Sequence, residues 1–136
     1  MQSQSDVIRG MYDAFAHGDV AGVMRKLAPE LVWNEAENFV YADQNPYRGP
    51  KAVLDGIFLR LATEWDKFSV TPEEIVESGE TVVARGRYRA TYKATGAAVD
   101  AQFVHVWKMR DGQAMMFQEY TDTAQFRDAV AKRAAA

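Results

Sequence analysis

The sequence predicts an α+β fold in which a curved, largely antiparallel sheet lies against a long helix, and three observations carry that prediction. Apolar residues recur at helical spacing from Val7 to Trp65, interrupted by one short strand pattern. From Phe68 to Thr121 the spacing changes to the two-residue alternation of strands. Turn sequences, Ser78-Gly79-Glu80, Thr95-Gly96 and Asp111-Gly112, divide that second region into a meander. Helices first and a meander afterwards is an α+β order, and such a sheet can curl around the long helix.

Val7, Ile8, Met11, Tyr12 and Phe15 mark the first helix, with Ser5 or Asp6 placed to cap it and Gly18 suited to the left-handed position after it. Asp19 then caps a short second helix carrying Val20, Val23, Met24 and Leu27, which Pro29 ends. His17, at the break, faces a helix C-terminus and is given no active role. Glu30 to Glu35 reads as a short strand with Leu31, Trp33 and Glu35 on one face. The polar stretch from Ala36 to Gly49 reads as a long loop, in which Phe39, Tyr41 and Tyr47 either cover a pocket or pack on the next helix. Pro50 opens a third helix whose stripe is Val53, Leu54, Ile57, Phe58, Leu61 and Trp65.

In the meander, Phe68 to Val70 and Glu74 to Glu77 read as strand pieces separated by a break at Pro72. The next strand sets Val82, Ala84, Gly86, Tyr88, Ala90 and Tyr92 against an opposite face bearing Arg85, Arg87 and Arg89. That basic face reads as solvated surface or subunit interface. The strand after it places Val99, Ala101, Phe103, Trp107 and Met109 beside the ring of His105, while Val104 and Val106 on the other face point to cover by a second subunit. The last strand turns Met115, Phe117 and Glu119 one way and Met116, Gln118 and Tyr120 the other. Asp122 or Thr123 caps a final helix carrying Phe126, Ala129 and Val130, before a fraying tail at Ala134 to Ala136.

With 136 residues, 48% hydrophobic and 26% charged, the chain is sized for one well-filled domain, 1–136. It has no apolar run of bilayer length, and its first residues lack a signal pattern, so a soluble, cytoplasmic protein is expected. Without cysteine there is neither disulfide nor thiolate chemistry, and two histidines make a histidine-rich metal site improbable, so neither metal nor cofactor is expected. A net charge of −3 gives no footprint for nucleic acid or an anionic membrane. A small apolar ligand fits the aromatic content better.

Three titratable residues fall on the inward faces. Glu35 points where Trp33 points, and a carboxyl in an apolar setting has a raised pKa suited to moving protons. His105 is a ring among apolar side chains, which needs a hydrogen-bond partner or a task. Glu119 shares the face of Phe117 and is placed to orient His105 or relay its proton. Met11, Tyr12, Trp33, Phe58, Tyr88, Tyr92, Phe103, Trp107 and Phe117 are the candidate substrate-binding residues.

The ordered set His17-Gly18-Asp19, Leu31-Val32-Trp33, Tyr47-Arg48-Gly49, His105-Val106-Trp107, Asp111-Gly112 and Glu119-Tyr120-Thr121-Asp122 resembles the nuclear transport factor 2-like superfamily over nearly the whole chain. The match is closest to its ketosteroid-isomerase-related and SnoaL-like polyketide cyclase branch. The resemblance implies a cone: a strongly curved mixed, mainly antiparallel sheet (cystatin-like) wrapped around the long helix, with N-terminal helices closing a single apolar cavity for a polyketide- or steroid-like ligand. It also implies a homodimer through the outer sheet face. The isomerases' general base matches Glu35, and their hydrogen-bond donor to the developing oxyanion matches His105. Their helix-one tyrosine falls at Met11, with Tyr12 about 100° further round the helix, so the steroid isomerase set is incomplete. Epoxide hydrolases of this fold use an inward arginine, whereas Arg85, Arg87 and Arg89 face outward by parity. Dehydratases pair histidine with a carboxylate and tyrosines, which His105, Glu35, Tyr88 and Tyr92 supply in part. Since this scaffold hosts many functions, three readings stand: an enzyme removing a proton next to a carbonyl, a ligand-binding protein, and a core histidine satisfied by its neighbours.

Overall fold

A computed structural model describes residues 2–132. The first helix, α1 (Gln4–Ala16), is capped by Ser3, whose hydroxyl accepts from the Asp6 amide, so the chain enters the helix earlier than Ser5 or Asp6 would have it. Gly18 takes a φ of +72°, and Asp19 caps α2 (Val20–Met24) through the Gly22 amide. That helix stops at Met24. Leu27 and Pro29 belong instead to β1 (Leu27–Asn34), because Leu27 pairs with Ala114 and is buried there.

Beyond β1 the chain runs through one 3₁₀ turn (Ala42–Gln44) to the short strand β2 (Tyr47–Arg48), which pairs antiparallel with β1. The long helix covers residues 50–64. Its ends, Pro50–Val53 and Leu59–Glu64, are α-helical, and its middle, Leu54–Phe58, widens into a π turn. The carbonyl of Gly56 in that turn accepts from Arg60, whose guanidinium also grips both Asp43 oxygens at 2.9 and 3.1 Å. Tyr41 and Tyr47 are buried against this helix: Arg60 lies 4.0 Å over the Tyr41 ring, and a Cβ on Gly56 would meet the Tyr47 ring at 2.4 Å.

Trp65 opens strand β3 (Trp65–Ser78) rather than closing the helix, and it pairs with Tyr92. Pro72 does not break β3. It sits at a bulge on an edge strand, where its missing N–H is tolerated. Strands β4 (Thr81–Tyr92), β5 (Ala98–Arg110) and β6 (Gln113–Thr121) follow, and the turn before β6 has positive φ at Asp111 and Gly112, as its Asp-Gly sequence requires. A second bulge lets Met109 pair with Ala114 while Lys108 pairs with Met116. Met115 is the extra residue, so Ala114 takes the buried position that strict alternation gives to Met115. The C-terminal helix (Thr123–Ala131) packs Phe126 and Ala129 into the core, with Asp122 at its N-cap. The alanine tail lies outside the described residues.

The sheet is mixed and open, in the order β2-β1-β6-β5-β4-β3, with β1 and β6 the parallel pair. Its registers align Trp33, Phe117, Trp107 and Val82 in one row across four strands. Two residues along, Glu119, His105 and Ala84 form the next row. The outer face pairs Arg85 with Glu74 at 2.8 Å, and Arg87 and Arg89 with Asp100 at 3.2 and 3.5 Å. Among the described residues no helix is long and apolar enough to cross a membrane.

Candidate functional site

The inner face of the sheet, α1 and the long helix enclose a cavity of about 70 Å³. Its volume is far below the few hundred Å³ typical of ligand sites. Trp33 explains the difference, standing stacked on Phe117 at 3.8 Å and edge-on to Phe58 and Trp107 at 5.8 and 5.6 Å, so that aromatic rings occupy the space a larger ligand would need. Of its lining residues Phe15, Phe68 and Val70 alone are half-buried rather than buried, which puts the mouth between α1 and β3.

Glu35, His105 and Glu119 all line this cavity and are 4%, 4% and 3% exposed. The parallel pairing of Asn34 with Gln118, continued by one residue, brings Glu35 level with Glu119. Burial, and then the neighbouring Glu119 charge, raise the Glu35 carboxyl well above the ordinary range. Burial raises Glu119 to about 7. Glu119 accepts from the Tyr88 hydroxyl at 2.6 Å and from the Ala36 amide at 3.1 Å, whereas Glu35 accepts from the Trp33 indole at 3.2 Å. More donors stabilise a carboxylate better, so the pair shares one proton, with Glu35 the acid and Glu119 the anion.

His105 makes no hydrogen bond to Glu119, although the two are cross-strand neighbours. Tyr88 stands between them, its oxygen 2.5 Å from Nε2, and Tyr12 lies 2.7 Å from Nδ1 on the other side. Phe103 stacks on the imidazole at 4.1 Å, and burial lowers the ring's pKa to about 3, so it is neutral. Burial likewise raises the Tyr12 and Tyr88 hydroxyls, helped at Tyr88 by the Glu119 charge. Both ring nitrogens are therefore engaged by tyrosine hydroxyls rather than free for a cavity ligand.

Met11, Tyr12, Trp33, Phe58, Tyr88, Trp107 and Phe117 line the cavity, whereas Phe103 and Tyr92 do not. Phe103 is covered by the rings of His105 and Tyr88, and Tyr92 sits at the end of β4 against Trp65 at 4.8 Å. The inward stripe of α1 is two residues wide, with Met11 and Tyr12 both buried, so a helix-one hydroxyl does reach the site. Sequence reasoning did not place Val23, Ile57 and Leu61 at the cavity, because an apolar stripe shows which face is inward and not where along it space remains.

The model of the SnoaL-like domain matches residues 8–115. No curated protein matches the chain. Among solved structures, an NTF2-like protein from Burkholderia thailandensis is 30% identical with a TM-score of 0.90, covering 96% of this chain and 98% of its own. TerC, co-crystallised with polyporic acid, is 24% identical with a TM-score of 0.83, covering 96% and 100%. IdmH from Streptomyces antibioticus, a candidate polyketide cyclase, is 21% identical with a TM-score of 0.77, covering 96% and 99%. A match over most of the chain, on a fold shared from end to end, establishes that the protein belongs to the SnoaL-like domain family of the nuclear transport factor 2-like fold.

Proposed function

We propose that this protein is a cofactor-independent enzyme that removes a proton next to a carbonyl in a small, apolar, enolisable substrate. The observation that supports this reading most is the pair of buried carboxyls, Glu35 and Glu119, sharing one proton at the wall of an apolar cavity. As a purely structural element such a pair is a poor choice, because apolar residues of similar volume would stabilise the core at least as well. As a base it is well suited, since a raised pKa matches its proton affinity to neutral pH. The shared charge, held at rest by Glu119, is the base in this reading; Glu35 carries the exchangeable proton, and the Tyr12 hydroxyl, hydrogen-bonded to His105, exchanges a proton with the oxygen that becomes the oxyanion.

Polyporic acid in TerC and the polyketide cyclase description of IdmH support a polycyclic or quinone-like substrate class for the family. A cavity of about 70 Å³ holds only the reacting edge of such a molecule, the remainder lying past Phe15 and Phe68 at the mouth. Isomerisation, aldol-type cyclisation and dehydration all start from this step. Homodimerisation through the outer sheet face belongs to the same proposal, supported by the half-buried Val104, Val106 and Met116 there.

A second reading, a ligand-binding protein without turnover, has its own support: among the described residues no buried side-chain polar atom lacks a hydrogen-bond partner. Assays of Glu119→Gln and His105→Ala with enolisable ketones and hydroxyquinones separate the two. Lost turnover with retained affinity supports catalysis. Deuterium exchange at the ligand's α-carbon that is no faster with wild-type protein than in buffer, across ligands that bind, overturns it.

A further inference from the structure

We infer that Tyr12, His105 and Tyr88 form a polarised proton wire between the cavity and the carboxyl pair, with Tyr88 as its obligatory link and an acidic hydroxyl, of the enol or phenol kind, as the ligand group it serves. Donor accounting sets the polarity from the carboxylate end. The Trp107 indole N–H can only donate, and it donates to the Tyr12 oxygen at 3.2 Å. That leaves the Tyr12 proton free for Nδ1 of His105 at 2.7 Å. At the other end the Glu119 carboxylate accepts the Tyr88 proton at 2.6 Å, so the Tyr88 oxygen accepts from Nε2–H. The carboxylate end thus fixes the tautomer, neutral with its proton on Nε2, and the indole donation at the other end is compatible with it.

In that arrangement a proton moves in one direction without any group turning. A ligand O–H gives its proton to the Tyr12 oxygen, and the proton already on Tyr12 passes to Nδ1. The Nε2 proton passes to the Tyr88 oxygen, and the Tyr88 proton passes to Glu119. One O–H bond breaks on the ligand, one forms on Glu119, and the negative charge crosses from Glu119 to the ligand oxygen. The ring stays neutral and ends as the other tautomer. Such a transfer is nearly balanced for an enol or a quinone hydroxyl, whose acidity approaches that of the carboxyl pair, and unfavourable for a simple alcohol. Phe103, stacked on the ring at 4.1 Å, and Phe117, edge-on at 4.8 Å, keep the imidazole in the plane the wire needs.

The charged and titratable groups around Glu119 are few: Glu35 beyond β1, Tyr88 on β4, and, acting on Glu35 from the long helix, Arg60. His105 makes no hydrogen bond to either carboxyl, so the hydrogen-bonded route from the ring to their ionisation runs through Tyr88. This inference deepens the proposed function, resting on it only for the wire's use in turnover.

The test is nitrogen NMR of the ¹⁵N,¹³C-labelled full chain, whose two histidines are His17 and His105. In the wild type we expect the His105 Nε2–H tautomer at pH 8 and a single step in its ¹⁵N shifts coinciding with the carboxyl ¹³C titration of Glu119. In Tyr88→Phe the step at His105 falls several-fold while the carboxyl titration remains, and in Tyr12→Phe the step is retained. An Nδ1–H tautomer at pH 8, ring shifts that stay flat through the carboxyl titration, or a step undiminished in Tyr88→Phe overturns the wire. The first two are read on wild-type protein and need no variant to fold. These signatures present in a protein without turnover defeat the catalytic reading and leave the wire standing.

Discussion

Asn45 holds Glu35 by its main chain at two points, accepting from the Glu35 amide at 3.0 Å and donating to the Glu35 carbonyl at 2.8 Å. Glu35 lies just past the end of β1, where the β-ladder no longer positions it. The side chain of a residue ten positions later substitutes for a strand partner and aims the carboxyl. Asn45→Ala is expected to lower stability by about 1–3 kcal/mol through the two unsatisfied main-chain groups, and to shift the Glu35 carboxyl ¹³C titration towards the ordinary range as water reaches it. Urea unfolding and NMR titration measure both. An unchanged Glu35 titration would show that the clamp does not orient it.

The carboxyl pair and the histidine pull stability in opposite directions with pH. Glu119 has an ordinary value of 4.5 and a folded value of about 7, so the native state holds more protons across that window and its stability falls as pH rises through it. His105 goes from 6.5 to about 3, so the unfolded state holds more protons between those values and stability falls as pH drops from 6.5 to 3. The stability of Glu119→Gln relative to wild type is therefore expected to grow from pH 4.5 to 7. For His105→Phe the relative gain comes on going down from 6.5 to 3. Urea unfolding at each pH gives the curves, and variant and wild-type curves that run parallel would refute the assignment.

Glycine at two positions has opposite consequences. A Cβ on Gly86 would lie 2.0 Å from the Thr71 carbonyl oxygen, opposite the Pro72 bulge, and backbone there has no room to yield. Gly86→Ala is expected to destabilise by roughly 1–3 kcal/mol. A Cβ on Gly10, exposed in α1, meets nothing within 4 Å, so Gly10→Ala is expected to stabilise by up to about 1 kcal/mol. Thermal unfolding of the two single variants should show shifts of opposite sign.

Phe68 at the mouth lies 5.5 Å from the Tyr88 ring and 5.9 Å from Trp65, and it limits what can enter. Phe68→Ala is expected to cost roughly 2 kcal/mol, less than a fully buried phenylalanine, while raising the affinity of an apolar naphthalene-type fluorophore several-fold. Fluorescence titration reads the affinity. A fluorophore that binds both proteins equally would place the entrance elsewhere.

The parity of β4 and β5 was legible because one face of each strand is buried, so Tyr88, His105 and Trp107 could be set inward from spacing alone. The Asp111-Gly112 turn was legible because its backbone angles demand that chemistry. Trp65, Pro72 and Met115 were misplaced for a common reason: each sits where regular periodicity changes, at a helix-to-strand junction or at a bulge, and periodicity carries no information there. Glu35, His105, Glu119, Tyr12 and Tyr88 could be named as candidate residues of the site, but the hydrogen bonds that join both tyrosines to His105 could not be foreseen. Tyr12 comes from a helix 93 positions away from His105, and contact at that separation depends on how helix and sheet pack.

The π turn at Leu54–Phe58 gives the cavity wall a freedom that the sheet lacks. Such a turn holds one residue more than regular helix requires, so a chain shorter by one here would close into continuous α-helix with Pro50–Val53 and Leu59–Glu64 still in place. Only the wall made by Ile57 and Phe58 would retract. A single insertion or deletion can therefore resize the chamber while the frame stays fixed, which gives homologues a way to diverge in ligand size without diverging in architecture.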